Sequence, residues 1–85
     1  MSGFEKVIRK VLAGNSDNNI SFADLCNLLE ILGFDNRIKG SQHIYFREGI
    51  AEIINLQPRG TKAKAYQVKQ VRELLIKNKL ISNVE

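Results

Sequence analysis

The sequence has no tryptophan, one proline, one cysteine and one histidine, and aromatic residues make up only 7% of its 85 positions. One cysteine cannot form an internal disulfide, and one cysteine with one histidine cannot assemble a four-ligand zinc site. Long apolar runs are also missing. None exceeds three residues, which excludes a membrane-spanning helix and the apolar segment of a secretory leader and leaves a cytoplasmic domain with no membrane partner as the expectation. The length rules out a dinucleotide-binding enzyme of two halves, which needs more chain, and fits one domain over residues 1–85. With so few aromatics, the core has to come mostly from Ile, Leu and Val. What is abundant is positive charge: 13 Lys and Arg against 9 Asp and Glu leave a formal net charge of +4, a surplus that favours a polyanionic partner.

Hydrophobic spacing locates the elements. Phe4, Val7, Ile8, Val11 and Leu12 fall on one face of a helix that Ser2 and Glu5 are placed to cap and that Gly14 and the following Asn-rich run terminate. A second helix enters at Ser21, with Asp24 at the third helical position and Ile20 and Leu25 spaced as a hydrophobic staple. Its buried stripe is Phe22, Leu25, Leu28, Leu29 and Leu32, and Gly33 ends it. Cys26 lies beside that stripe and reads as a small buried hydrophobe, with nothing nearby to activate a thiol.

From Phe34 the periodicity shortens. Residues 35–39, 42–46 and 50–56 read as three strands joined by tight turns at Gly40-Ser41 and Arg47-Glu48-Gly49, an antiparallel meander. Ile53 and Ile54 are adjacent and cannot both face the core. Apolarity places Ile44 and Phe46 against the helices, with Ile38 inward. His43, Tyr45, Arg47, Arg37 and Lys39 would then share the open face. Residues 57–64 hold Pro58 and Gly60 and read as a loop. Val68, Val71, Leu74 and Leu75 give a last amphipathic helix ending near Asn78, with Ile76, Leu80 and Ile81 extending the apolar surface. The expected class is α+β, with helices covering one face of the sheet.

The charge is unevenly distributed. Residues 1–34 carry a net −1 and residues 73–85 are neutral, while residues 35–72 carry +5 through Arg37, Lys39, Arg47, Arg59, Lys62, Lys64, Lys69 and Arg72 against three acids. Any one of these cations alone is ordinary surface. Their clustering around the only histidine points to a polyanion.

The segment Arg37-Ile-Lys-Gly-Ser-Gln-His43-Ile-Tyr-Phe, following a Leu-rich helix that ends in Gly33-Phe34, resembles the HicA family of toxin endoribonucleases. Gly40, Ser41 and His43 match the family's Gly-Ser-X-His hairpin, Ile53 to Leu56 matches its third strand, and Val68 to Leu75 its last helix. The resemblance covers residues 20–80, with residues 1–19 as an additional N-terminal helix and loop. Many members have a second histidine where Gln42 stands, and a Pro-Gly-Thr entry where Ala65-Tyr66-Gln67 begin the last helix. The resemblance implies an α-β-β-β-α layer like that of double-stranded-RNA-binding domains, cleavage of mRNA, and inhibition by a HicB-type antitoxin covering the histidine. His43 takes the catalytic position, and Gly40 and Ser41 form the turn that places it.

RNA brings its own nucleophile, the 2′-hydroxyl, so one base and some cations suffice without metal or cofactor. A neutral His43 would accept the 2′-OH proton, Lys39 and Arg47 would stabilise charge on the phosphorane, and the leaving oxygen would be protonated by Lys39, Tyr45, Tyr66 or water. Tyr45 and Tyr66 could stack on bases, and Arg37, Arg59, Lys62, Lys64, Lys69 and Arg72 could follow the backbone. Two other readings use the same residues: a non-catalytic RNA-binding module of the same fold, and an interaction domain for an acidic protein.

Overall fold

A computed structural model of the chain describes residues 2–80, with side chains from residue 5 onward. Helix α1 (Ser2–Ala13) leads through a single 3-10 turn (Asp17–Asn19) to helix α2 (Phe22–Ile31). Strands β1 (Asp35–Lys39), β2 (Gln42–Arg47) and β3 (Ile50–Leu56) follow, then a short hairpin of β4 (Pro58–Arg59) and β5 (Lys62–Ala63), and finally helix α3 (Ala65–Lys77). It is a small α+β domain whose three-stranded antiparallel sheet runs in the order β1-β2-β3. The predicted Ser2 cap, the Phe4 side chain and Ile81 with the tail beyond it lie outside the described residues.

Helix α2 begins and ends as its sequence dictates. Ser21 is extended at the cap and its hydroxyl accepts from the Asp24 amide at 3.3 Å; Ile20 and Leu25 are both buried, as the staple requires. At the other end the Phe34 amide donates to the Leu29 carbonyl and the Gly33 amide to that of Glu30. That paired closure needs a left-handed residue after the cap, and Gly33 supplies it at φ 94°. Helix α3 closes in the same way, through Lys79 and Leu80 amides on the Ile76 and Leu75 carbonyls, although the left-handed position is occupied by Lys79 at φ 55°.

The core is mostly aliphatic, as the scarcity of aromatics predicts, with Phe34 and Tyr45 its buried aromatics. Ile8 and Val11 of α1, Leu25, Leu28 and Leu29 of α2, Ile54 and Leu56 of β3, and Val68, Val71 and Leu75 of α3 are all buried. The Ile53/Ile54 ambiguity resolves with Ile54 inside and Ile53 60% exposed.

The face assignment of β2 is the reverse of the expectation. Tyr45 pairs with Ile54 and His43 with Leu56, and Tyr45 is only 1% exposed. His43, Tyr45 and Arg47 therefore point toward the helices. Ile44 and Phe46 lie on the opposite face, half-buried, beside the exposed Arg37 and Lys39. Ile38 stands across from His43, so those two share a face, and Ile38 is 61% exposed rather than inward. The cause is the shared register. A strand's side chains flip together, and β2 follows the face that buries Ile54 and Leu56 of β3. Tyr45 tolerates that side because its ring is apolar and its hydroxyl finds a partner, Glu30, at 3.2 Å.

The segment read as a loop is instead a two-residue hairpin turning at Gly60, with Pro58 paired to Ala63 and Arg59 to Lys62. It is stitched to the start of α2: the Ala63 amide donates to the Ile20 carbonyl, the Phe22 amide to that of Thr61, and Ser21 bridges Lys62. The Phe22 amide is one of the helix's unpartnered first-turn donors, so the hairpin acts as a backbone cap.

Candidate functional site

His43 sits at the beginning of β2, two residues past the Gly40-Ser41 turn. Gly40 adopts φ 64°, a conformation that suits the first position of a two-residue hairpin turn and that L side chains resist. The imidazole is half-buried and meets the Phe22 ring edge-on, with centroids 5.0 Å apart at 81°. Together they form one end of a groove of about 410 Å³ between α2 and the β1–β2 strands. Asn27, Glu30, Asn36 and Ile38 line its length, and Cys26 and Tyr45 its floor.

The groove's polar floor is held in a protonated state. Burial is the main cause raising the Tyr45 phenol well above its ordinary value, with the neighbouring Cys26 thiol and the Glu30 carboxylate adding to it. Burial likewise raises the Cys26 thiol, and the negative charge of Glu30 reinforces this, while a hydrogen bond with Tyr45 opposes it. A thiol held up in this way is a poor nucleophile, so Cys26 is structural. Tyr45 is a correction to the sequence reading. With its ring buried and its hydroxyl donated to Glu30, it can neither stack on a base nor reach a leaving oxygen.

Several chain-distant groups converge on the His43 end of the sheet. Leu56 lies across from His43, and the next residue, Gln57, anchors the start of α3. Its amide donates to Gln67 Oε1 at 3.0 Å, and its side chain accepts from Lys64 Nζ at 2.9 Å. Gln67, 2% exposed, also donates to the Asn55 carbonyl at 2.9 Å. Phe22, against the imidazole, opens α2 and is fastened to the β4–β5 hairpin. The N-termini of α2 and α3, the hairpin carrying Arg59 and Lys62, and Lys64 thus gather around one end of the molecule. Helix N-termini carry roughly half a positive charge each, so they add to the lysines there. Arg59, Lys62 and Lys69 are exposed and make no side-chain hydrogen bond or ion pair among the described residues. Tyr66, 64% exposed on the first turn of α3, joins the same end, and Lys39 closes β1 beside the turn.

Four of the expected cations do not face the imidazole. Arg72 is bound bidentately to Asp17, at 2.9 Å for the shortest contact, and donates to the Val11 carbonyl at 3.1 Å. It packs over Gly14 and ties α1 and the 3-10 turn to α3. Arg47 is on the same face as His43 but four residues along the strand, roughly 13 Å away. Its guanidinium lies against Gly33, where a methyl group would stand 3.7 Å from Nε. Arg37, and Lys39 with it, project to the sheet face opposite the imidazole, because Lys39 pairs with Gln42 and Ile38 with His43. Neither Lys39 nor Arg47 is therefore positioned over the imidazole as the sequence reading required. Phe22, Asn27, Glu30 and Gln67 were not singled out from the sequence. Only Phe22 carried a signal, as a member of the α2 stripe.

Among the described residues no cluster of three or more His, Cys, Asp or Glu is arranged to hold a metal ion, and no helix is long and apolar enough to cross a membrane. The fold and the site together define a small α+β domain that presents one histidine in a groove beside a positively charged end. Comparison with family models, with curated proteins and with solved structures finds no match for this chain.

Proposed function

We propose that the chain is a metal-independent endoribonuclease of the HicA type, built on an α-β-β-β-α layer like that of double-stranded-RNA-binding domains and acting on mRNA in the cytoplasm. The observation that carries the reading is the convergence of two helix N-termini and the Arg59, Lys62 and Lys64 side chains on the end of the sheet that presents His43. An anion is attracted to that end, and the imidazole beside it has ring nitrogens that can accept or donate a proton.

In this mechanism a phosphodiester docks at the positive end, and His43 takes the 2′-hydroxyl proton as the oxygen attacks phosphorus. Charge on the phosphorane is stabilised by Lys62 and the helix N-termini, replacing the roles first expected of Lys39 and Arg47. The products are a 2′,3′-cyclic phosphate and a 5′-hydroxyl. With Tyr45 buried and Lys39 on the other face, water or Tyr66 protonates the leaving oxygen. A HicB-type antitoxin with an acidic surface would silence the enzyme by covering this end.

His43→Ala tests the reading. General-base catalysis contributes about 10²–10⁴-fold, so the purified variant should cleave RNA at least ~100-fold more slowly while keeping the parent's thermal transition. Cleavage at the parent rate removes the assignment. RNA binding by both proteins without any cleavage would leave the binding-module reading in its place.

A further inference from the structure

The groove running from His43 along α2 is lined in a way that phosphate binding does not explain. The positive end is at Phe22 and the imidazole, whereas Asn27, Glu30 and Asn36 farther along bring amides and a carboxylate and no cation. Phe22 and Glu30 are eight residues apart on one helix, about 12 Å along its axis, enough to hold a nucleotide extended from its phosphate to the far edge of its base. The walls are apolar, Phe22 on α2 and the exposed Ile38 on β1, as a nucleobase requires. The volume of about 410 Å³ is within the range of small-ligand sites.

We propose that this groove is a nucleobase subsite that reads guanine next to the scissile phosphate, with Glu30 as the specificity-determining residue; the proposal rests on the ribonuclease reading for its substrate class. Glu30 Oε2 accepts the Tyr45 hydroxyl at 3.2 Å, which fixes the carboxylate and leaves Oε1 with no hydrogen bond among the described residues. An ionised carboxylate only accepts. Guanine is the base whose Watson–Crick edge offers two adjacent N–H donors, with a carbonyl beside them that an Asn27 or Asn36 amide can meet. Adenine and cytosine present a single amino group, and uracil presents one N–H between two carbonyls, whose oxygens a carboxylate repels. Asn27, Glu30 and Asn36 are exposed, so the discrimination comes from matched hydrogen bonds and carboxylate–carbonyl repulsion and is modest.

Full-length protein labelled with 15N and titrated with GMP and with UMP provides the test. GMP should shift the amide signals of residues 23–27 and 36–38 and bind about tenfold more tightly than UMP, within the range of one bidentate contact. Glu30→Gln keeps an acceptor for Tyr45 and replaces the free oxygen with a donor, and should bring the two nucleotides within about twofold. Equal affinities in the parent, or shifts confined to residues 58–72, overturn the subsite. Asn36→Leu, on an exposed edge strand, gives a second variant if Glu30→Gln does not fold, and should weaken GMP at least about threefold. RNA cleavage with no base preference, unchanged by Glu30→Gln, removes the subsite and leaves the ribonuclease reading standing. Guanine-selective binding with no cleavage by the parent does the opposite.

Discussion

Both ends of the sheet carry cations and use them differently. At the His43 end, Arg59, Lys62 and Lys69 are exposed around two helix N-termini. At the other end α2 and α3 finish, and positive groups complete the fold. Arg47 lies over the C-terminus of α2 at Gly33, and Lys77, in the last turn of α3, pairs with Glu52 of β3 at 2.6 Å. Away from that end, midway along α3, Arg72 does the same for the carbonyl end of α1 through Val11. The dipoles explain the division. Cations near a helix C-terminus are stabilised by it, while cations near an N-terminus are not. Charges gathered around N-termini add to the dipole field and leave it open to an external anion. A count of basic residues does not distinguish these two uses.

The comparison breaks most readily at Arg72. Removing it strands Asp17 and the Val11 carbonyl in a site where the two charged side chains are only 17% and 22% exposed. Arg72→Met should therefore cost about 2 kcal/mol in urea denaturation and leave the salt dependence of RNA binding unchanged. A variant of full stability that binds RNA more weakly would move Arg72 to the other group. A smaller effect is expected where the chain passes through the left-handed region. Gly33→Ala at φ 94° should cost about 1–2 kcal/mol, and Lys79→Gly at φ 55° should gain a few tenths to about 1 kcal/mol. Equal melting temperatures for both variants would show that these closures do not limit stability.

At the His43 end the expected change is in binding, not in folding. If about three phosphates are neutralised, log affinity for single-stranded RNA falls with log salt with a slope near −2, and Lys62→Ala should reduce that slope by about 0.7 with no change in denaturation. A flat salt response in the parent would argue against this end as an RNA track. The smallest effect belongs to Glu52. Hydrogen bonds from Lys77 and Asn78 hold its carboxyl below the ordinary glutamate value, and Glu52 in turn holds Lys77 above the ordinary lysine value. The contribution is present above the ordinary glutamate pKa and fades as pH falls through the lowered one. On the alkaline side it persists below the ordinary lysine pKa and fades as pH rises through the raised one. Glu52→Gln should flatten the acid limb of melting temperature against pH slightly, since an exposed pair contributes little. An unchanged acid limb would mean that the pair makes no measurable contribution.

Local chemistry was legible throughout the sequence. The cap at Ser21, the closure at Gly33, the glycine turns after Lys39 and Arg47, and the aliphatic stripes of α1, α2 and α3 each follow from a few neighbouring residues. The choice of face on β2 did not, because alternation of Ile44 and Phe46 with His43 and Tyr45 is satisfied equally well by either side. Nor did the pairing of Pro58-Arg59 with Lys62-Ala63, since Pro and Gly mark a turn without saying what its flanks bond.

By itself the sequence determined the order of the three helices and the three-stranded meander, the α+β class, the single histidine two residues after a turn serine, and the confinement of the positive surplus to residues 35–72. Only the tertiary structure decided which of those charges face an external anion and which are tied to Asp17, Gly33 or Glu52. It also turned His43 and Tyr45 toward α2 and put Glu30 beside them. The physical reason is that register and helix ends are collective properties. A strand turns all of its side chains together to satisfy its neighbours, and a cation takes its role from the helix terminus that packing brings to it.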